Sequence, residues 1–244
     1  MDTLTLSRSD IIENFRFGCG EANSGLFGRV AGLVGLGRGE VSIVSQTYQK
    51  YDGVFSYCLP SDESSTGYLT FGRSSVPSNV QYTPMLNYSS MPSFYFLELT
   101  SISVGGKMLP ISPALFSNAG TIIDSGTVIT RLPPTAYLVL RDAFRGGMVK
   151  YPTASPVGIL DTCYDFSEYQ TVTVPSVSMG FRGATVDVDF FGIVYVVNST
   201  RACLGFAPNG NDTDLVIIGN TQQRKFNVVY DLAKGVIGFG PKGC

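Results

Sequence analysis

Histidine is absent from this chain of 244 residues, and that absence removes whole mechanisms. No Ser-His-Asp or Cys-His nucleophile system can be assembled, and no imidazole is present to hold zinc. Carboxylates are the main acid-base groups left. Charge is sparse as well: 17 Lys and Arg stand against 19 Asp and Glu, a formal net charge of -2. The basic residues are scattered, so no basic stripe can neutralise a phosphate backbone, and no nucleic-acid partner is expected. No apolar run approaches the roughly 20 residues that cross a bilayer, so no membrane span is expected. The stretch from Met1 to Asp10 is too polar for a signal peptide, and as written the chain carries no export signal.

What is present points to β structure. The apolar share is 44%, enough for one large core or two modest ones, and 28 glycines and 13 prolines punctuate many Val, Ile, Thr, Tyr and Phe residues. Strands are expected over Thr3 to Leu6, Ile11 to Phe17, Phe55 to Leu59, Tyr68 to Phe71, Val80 to Thr83 and Phe94 to Val104, the last closed by a Gly105-Gly106 hairpin. Further strands follow over Val172 to Val174, Val177 to Phe181, Thr185 to Phe190, Val194 to Val197, Cys203 to Phe206, Leu215 to Ile218, Phe226 to Asp231 and Val236 to Phe239. Helix is the minority: a short one over Val41 to Tyr48, and a convincing one over Thr135 to Phe144. The latter is started by Pro133-Pro134, stopped by Gly146-Gly147, and given a buried face by Tyr137, Leu138 and Leu140 to Phe144. The glycines from Gly18 to Gly39, Gly25 and Gly28 among them, match neither phosphate-loop spacing, so they read as close backbone packing around a short buried apolar segment, Val30 to Leu36. No cofactor is expected.

The five cysteines Cys19, Cys58, Cys163, Cys203 and Cys244 include no CxxC pair, so disulfides are a better reading than a metal site, and no metal is expected. An odd count leaves one thiol over. Asn87, Asn198 and Asn211 head Asn-x-Ser/Thr sequons and are glycosylation candidates.

The chemistry concentrates in Thr121-Ile122-Ile123-Asp124-Ser125-Gly126-Thr127. A strand ending in Ile122-Ile123 delivers Asp124 to a tight Ser-Gly turn, whose backbone N–H groups can point back at the carboxylate, with the Thr127 hydroxyl as a further donor. A solvent turn is rarely bracketed by Ile122-Ile123 and Val128-Ile129. The sequence holds no second Asp-Ser/Thr-Gly. A weak echo links Leu33-Val34-Gly35 with Ile217-Ile218-Gly219.

The order of FGCG at Phe17 to Gly20, GLVGLGRG at Gly32 to Gly39, FSYCL at Phe55 to Leu59, the Phe94 to Val104 strand, TIIDSGT at Thr121 to Thr127, Cys163-Tyr164 and IIGN at Ile217 to Asn220 resembles plant pepsin-like aspartic proteases of the nepenthesin type. The resemblance implies a mostly β, pepsin-like fold of two lobes, each supplying one catalytic aspartate to an endopeptidase that cleaves protein or peptide substrates. Asp124 would be the C-lobe aspartate, supported by Ser125, Gly126 and Thr127, with Ile217, Ile218 and Gly219 as the strand packed through its loop and Leu33-Val34-Gly35 as the equivalent N-lobe element. The family's first Asp-Thr-Gly turn and its tyrosine flap have no match here. The resemblance therefore implies a partial N lobe over residues 1–86 and a complete C lobe over 87–244, joined by the polar connector Asn87 to Pro92. It pairs Cys163 with Cys203 and Cys58 with Cys244, leaving Cys19 free. It also implies an extracellular or vacuolar site for the whole protein, an inactive isolated chain, and self-association through the incomplete N lobe. Two other readings are open: a binding or inhibitory protein on a protease-like fold, and an assembly in which two chains each contribute Asp124.

Overall fold

In the computed structural model, residues 1–22, 30–61, 64–73, 76–241 and 243–244 are described. Gly25, Gly28 and part of the Ser61 to Thr66 loop lie outside them. The fold is mostly β. A hairpin of Asp2–Ser7 and Asp10–Phe15 stands by itself as a two-stranded sheet. The largest antiparallel sheet orders Tyr68–Phe71, Val54–Cys58, Asn227–Asp231, Val236–Gly240 and Gln81–Pro84. It joins the last strands of the chain to strands from before residue 87. Its Val54–Cys58 and Asn227–Asp231 strands are buried at every position, as expected of central strands covered on both faces.

A second five-stranded sheet carries the acidic turn, in the order Phe206–Pro208, Thr130–Leu132, Val216–Ile218, Thr121–Ile123 and Phe96–Leu97. Two of its pairings are parallel, Val216–Ile218 with Thr121–Ile123 and Thr130–Leu132 with Phe206–Pro208. Four-stranded sheets built around Leu99–Val104 with Val177–Phe181, and around Cys163–Asp165 with Arg201–Leu204, complete the frame. Phe55, Phe96, Phe116, Tyr137, Phe144 and Phe206 are the largest side chains fully withdrawn from water. Burying each contributes about 1.5–3 kcal/mol.

Several expectations are corrected. Val30 to Leu36 is not a buried segment: Val30, Leu33 and Val34 are 60%, 78% and 64% exposed, and no strand among the described residues pairs with them. Leu33-Val34-Gly35 therefore does not repeat the strand formed at Ile217-Ile218. The Phe94 to Val104 strand is broken at Glu98. Phe96–Leu97 pairs with Thr121 and Ile122, whereas Leu99–Val104 pairs with Val177–Phe181; the chain changes sheets there. Val172 to Val174 forms no strand. Val41 to Tyr48 is replaced by two single turns, Ile43–Gln46 and Tyr48–Tyr51, with Val41 and Tyr48 exposed. The long helix runs from Pro134 to Gly147 and buries Ala136, Tyr137, Leu140 and Phe144, while Leu138 faces water. The helix ends at Gly147, as the Gly146-Gly147 pair predicts, and a Cβ on Gly147 would come 2.4 Å from Pro175, so that glycine also serves close packing. The helix Pro113–Ala119 and the turns Phe190–Ile193 and Asn220–Gln223 had no sequence signal strong enough to read.

Candidate active site

Asp124 follows directly on Thr121–Ile123, whose three residues are all buried. Its own side chain is half-buried, and Ser125 and Gly126 are exposed. The Asp124 N–H donates to the Ile218 carbonyl at 3.0 Å, continuing the parallel ladder in which Ile217 faces Ile122 and Ile218 faces Ile123. The carboxylate is then held at both oxygens. The Gly126 N–H donates to Oδ1 at 2.8 Å and the Thr127 hydroxyl to Oδ2 at 2.7 Å. Each oxygen keeps lone-pair capacity for a water or a second carboxyl group.

The turn is strapped to the residues after Ile218. Asn220 donates its backbone N–H to Thr127 O at 2.7 Å and its side-chain Nδ2 to Ser125 O at 3.0 Å, while the Thr221 N–H reaches Val128 O at 3.1 Å. Beneath it, Gln222 is 1% exposed, and its amide is fully used. Its Oε1 accepts from the Thr130 N–H at 3.1 Å and the Thr130 hydroxyl at 2.6 Å, and its Nε2 donates to Gly192 O at 2.6 Å and Gly205 O at 2.7 Å. The Gly219 N–H donates to Thr130 Oγ1 at 2.9 Å. With every Gln222 amide atom bonded, that polar side chain is tolerable in the interior, whereas the buried Thr221 hydroxyl beside it has no partner.

A cluster of tyrosines lies below the same loop. Tyr57 donates to Gln223 Oε1 and lies 3.1 Å from the Tyr230 hydroxyl, and Gln223 Nε2 donates to Ile218 O at 2.8 Å. Burial pushes the Tyr57 hydroxyl well above the ordinary tyrosine range, against hydrogen bonds with Tyr230 and Ser125 that lower it, and the charge on Asp124 pushes it further up. Tyr230 is raised by burial first and then by the neighbouring Tyr57. Both hydroxyls stay protonated at any working pH. Tyr95 lies tilted at 58° against Tyr230, 4.6 Å between ring centroids, accepts the Ile123 N–H on its carbonyl at 3.1 Å, and donates its hydroxyl to Leu36 O at 2.7 Å.

The structure thus brings Asp124, Ser125, Gly126, Thr127, Ile217, Ile218 and Gly219 into one site, and leaves Leu33 to Gly35 outside it. Tyr57, Thr130, Gln222 and Gln223 were not singled out from sequence; the one available signal was a pair of long amides set between Ile218 and Phe226. Elsewhere, Cys58 is bridged to Cys244 and Cys163 to Cys203, with S–S distances of 2.08 and 2.00 Å, and Cys19 is a free, exposed thiol. Asn87, Asn198 and Asn211 are all exposed. Among the described residues no three His, Cys, Asp or Glu side chains cluster as metal ligands would, and no helix is long and apolar enough to cross a membrane. An open groove of about 880 Å³ lies away from Asp124, walled by Leu4, Phe15, Phe17, Leu33, Val34 and Val41 among others.

Packed β-sheets holding an aspartate turn on parallel strands define a pepsin-like fold. The family described as "Xylanase inhibitor C-terminal" matches residues 94–241, and that described as "Xylanase inhibitor N-terminal" matches residues 1–73. An aspartyl protease family protein of Arabidopsis thaliana is 50% identical over all of this chain and 52% of its own length. The aspartic proteinase nepenthesin-2 of Nepenthes gracilis is 35% identical over all of this chain and 57% of its own. The crystal structure of Basic 7S globulin from soybean superposes with a TM-score of 0.72 at 21% identity, over 89% of this chain and 58% of that one. The chain belongs to the plant pepsin-like aspartyl protease family that carries these two domains. It spans about half the length of the curated relatives it matches.

Proposed function

We propose that this chain is part of an acid-acting aspartic endopeptidase in which Asp124 is one of two catalytic carboxylates and the other comes from outside these 244 residues. The observation that carries the reading is the two-point anchoring of the Asp124 carboxylate by Gly126 and Thr127, which fixes its plane at the lip of a strand. Two carboxyl groups held close together cannot both ionise, so they share one proton. The charged member takes a proton from water as it attacks the peptide carbonyl, and the other protonates the developing oxyanion. One aspartate cannot fill both roles in a single step. The substrate is a protein or peptide, and the reaction needs no cofactor.

The test is direct. The purified chain, given an unfolded protein substrate at acid pH, is expected to show no pepstatin-sensitive cleavage. A longer polypeptide carrying an Asp-Thr-Gly turn ahead of Met1 is expected to cleave, and to lose a factor of about 10²–10⁴ in rate with Asp124→Asn. Undiminished cleavage by that variant would remove Asp124 from the chemistry.

A second reading is favoured by the description of the matching domains as those of xylanase inhibitors: a non-catalytic binding or inhibitory protein on this fold. Tight binding of a xylanase by a longer polypeptide that cleaves nothing would select it. The intact Asp124 turn supports the catalytic reading, because a binding surface has no need of an anchored carboxylate.

We place the lobe boundary between residues 86 and 87, with a partial N lobe before it and the C lobe after it. The gap between the two family matches, which end at 73 and resume at 94, supports this. The exposed Leu33 and Val34 support association of copies through the N-terminal portion. The two disulfides and the exposed sequons support an extracellular or vacuolar location and glycosylation of Asn87, Asn198 and Asn211.

A further inference from the structure

We infer that Tyr57 and Gln223 are positioning residues for Asp124, acting as a directed relay that sets the register of the acidic turn through the Ile218 carbonyl. The inference rests on reading Asp124 as a catalytic carboxylate.

The relay has only one polarity. Gln223 is 2% and Tyr57 4% exposed, so neither has water to fall back on. The Tyr57 hydroxyl has a single proton and gives it to Gln223 Oε1, an atom that cannot donate. The Tyr230 hydroxyl, 3.1 Å away, must therefore donate to Tyr57. With its oxygen committed, the Gln223 amide has its Nε2 turned to Ile218 O at 2.8 Å. That same carbonyl accepts the Asp124 N–H at 3.0 Å. Tyr57 and Gln223 thus donate in one direction toward Ile218 O, where the Asp124 N–H also donates, and Tyr230 follows the orientation that Tyr57 sets. A buried primary amide bonded at both ends is locked, and one deprived of a partner leaves an unsatisfied atom that drives it to rotate.

The two ends come from different parts of the chain. Tyr57 lies on the strand Val54–Cys58, within the region matched by the N-terminal family domain, and Asp124 lies within the C-terminal one. Gln222, next to Gln223, bonds only to Thr130, Gly192 and Gly205, all after residue 94. Gln222 secures the loop to its own surroundings, while Gln223 ties it to the central strand of the other portion.

The experiment is amide hydrogen exchange by NMR on the 244-residue chain. Tyr57→Phe removes one hydroxyl and little volume. It is expected to lower the protection factor of the Asp124 amide by about tenfold or more. It is also expected to shift the resonance of the Gly126 amide that donates to Asp124, while amides of Val177–Phe181 in another sheet keep their rates. Gln223→Met should reproduce the effect. Tyr230→Phe, which leaves the Tyr57 to Gln223 bond in place, should change Asp124 protection by less than about threefold. Gln223→Glu supplies a rescue. Its protonated carboxyl can accept from Tyr57 and donate to Ile218, so protection should return at low pH and be lost when it ionises; the titratable group facing it is Tyr57, which is itself coupled to Tyr230, Tyr95 and Asp124. Unchanged Asp124 protection in Tyr57→Phe, or an equal loss at every amide, overturns the inference. If Gln223→Met does not fold, Tyr57→Phe decides alone. Exchange is read whether or not the chain cleaves peptides, so this inference and the catalytic reading fail separately.

Discussion

Gly219 passes so close to Val128 that a Cβ built on it would stand 2.7 Å from the Val128 carbonyl oxygen, with Ile129 C at 2.8 Å and Thr130 N at 2.9 Å. All three are backbone atoms and cannot swing aside. Gly219→Ala is therefore expected to push the Asp124 turn off the Ile217-Ile218 strand and to cost about 1–3 kcal/mol. Urea denaturation measures the loss, and full stability with an unchanged Gly126 amide resonance would show that the loop yields to a methyl group at this position.

Asp231, buried in the central sheet, is paired with Arg73 through both guanidinium nitrogens, and its Oδ1 also accepts the Lys234 N–H at 3.0 Å. Burial alone would raise its carboxyl, yet the bonds from Arg73 and Lys234 hold it below the ordinary value of 3.8. Because the folded value lies below the unfolded one, the stabilisation is present above about pH 4 and disappears as pH falls through the depressed folded value. Arg73→Ala should lower Tm near neutrality, by a modest amount because Arg73 is 41% exposed and its charge is partly screened by water. The Tm gap between wild type and variant should narrow as the buffer is taken from about pH 5 toward pH 2; a gap that widens instead would contradict the pairing.

The two disulfides should differ in worth. Cys58–Cys244 closes a separation of 186 residues, Cys163–Cys203 one of 40, and the latter pair already face each other across neighbouring strands. Replacing Cys58 and Cys244 by serine should cost about 2–5 kcal/mol, and about 1 kcal/mol more than the same change at Cys163 and Cys203. Denaturation midpoints of the two double variants check the order.

Leu33 and Val34, 78% and 64% exposed, line the open N-terminal groove. Leu33→Lys with Val34→Lys should leave stability within about 0.5 kcal/mol while lowering the sedimentation-average mass at high concentration. An unchanged mass would locate association elsewhere.

Legibility followed from whether a residue's partners were near in sequence or implied by its own chemistry. The Asp124 turn was readable because Asp, Ser, Gly and Thr carry their own hydrogen-bonding program, and the Tyr68–Phe71 and Val177–Phe181 strands because alternation is local. Val30 to Leu36 misled because apolar residues report a demand for cover, not its supply. Leu138 sits one position from the buried Tyr137, and only the packing of the helix against Leu99–Val104 and Phe206–Pro208, with Ala136, Leu140 and Phe144 turned inward, decides which is covered. The break at Glu98 could not be seen because both halves of Phe94 to Val104 are strand-like; what separates them is the presence of two different partner strands, Thr121–Ile123 and Val177–Phe181.

By itself, the sequence determined that no imidazole mechanism is open to these residues, since histidine is absent, and it marked the position of one anchored carboxylate, since Asp124 lies in its only Asp-Ser-Gly turn. Tertiary structure alone decided what holds the acidic turn against the rest of the fold. Tyr57, Thr130, Gln222 and Gln223 lie from 6 to 99 residues away from Asp124, and a buried polar network exists only when every member meets its partner, a condition that no local pattern encodes.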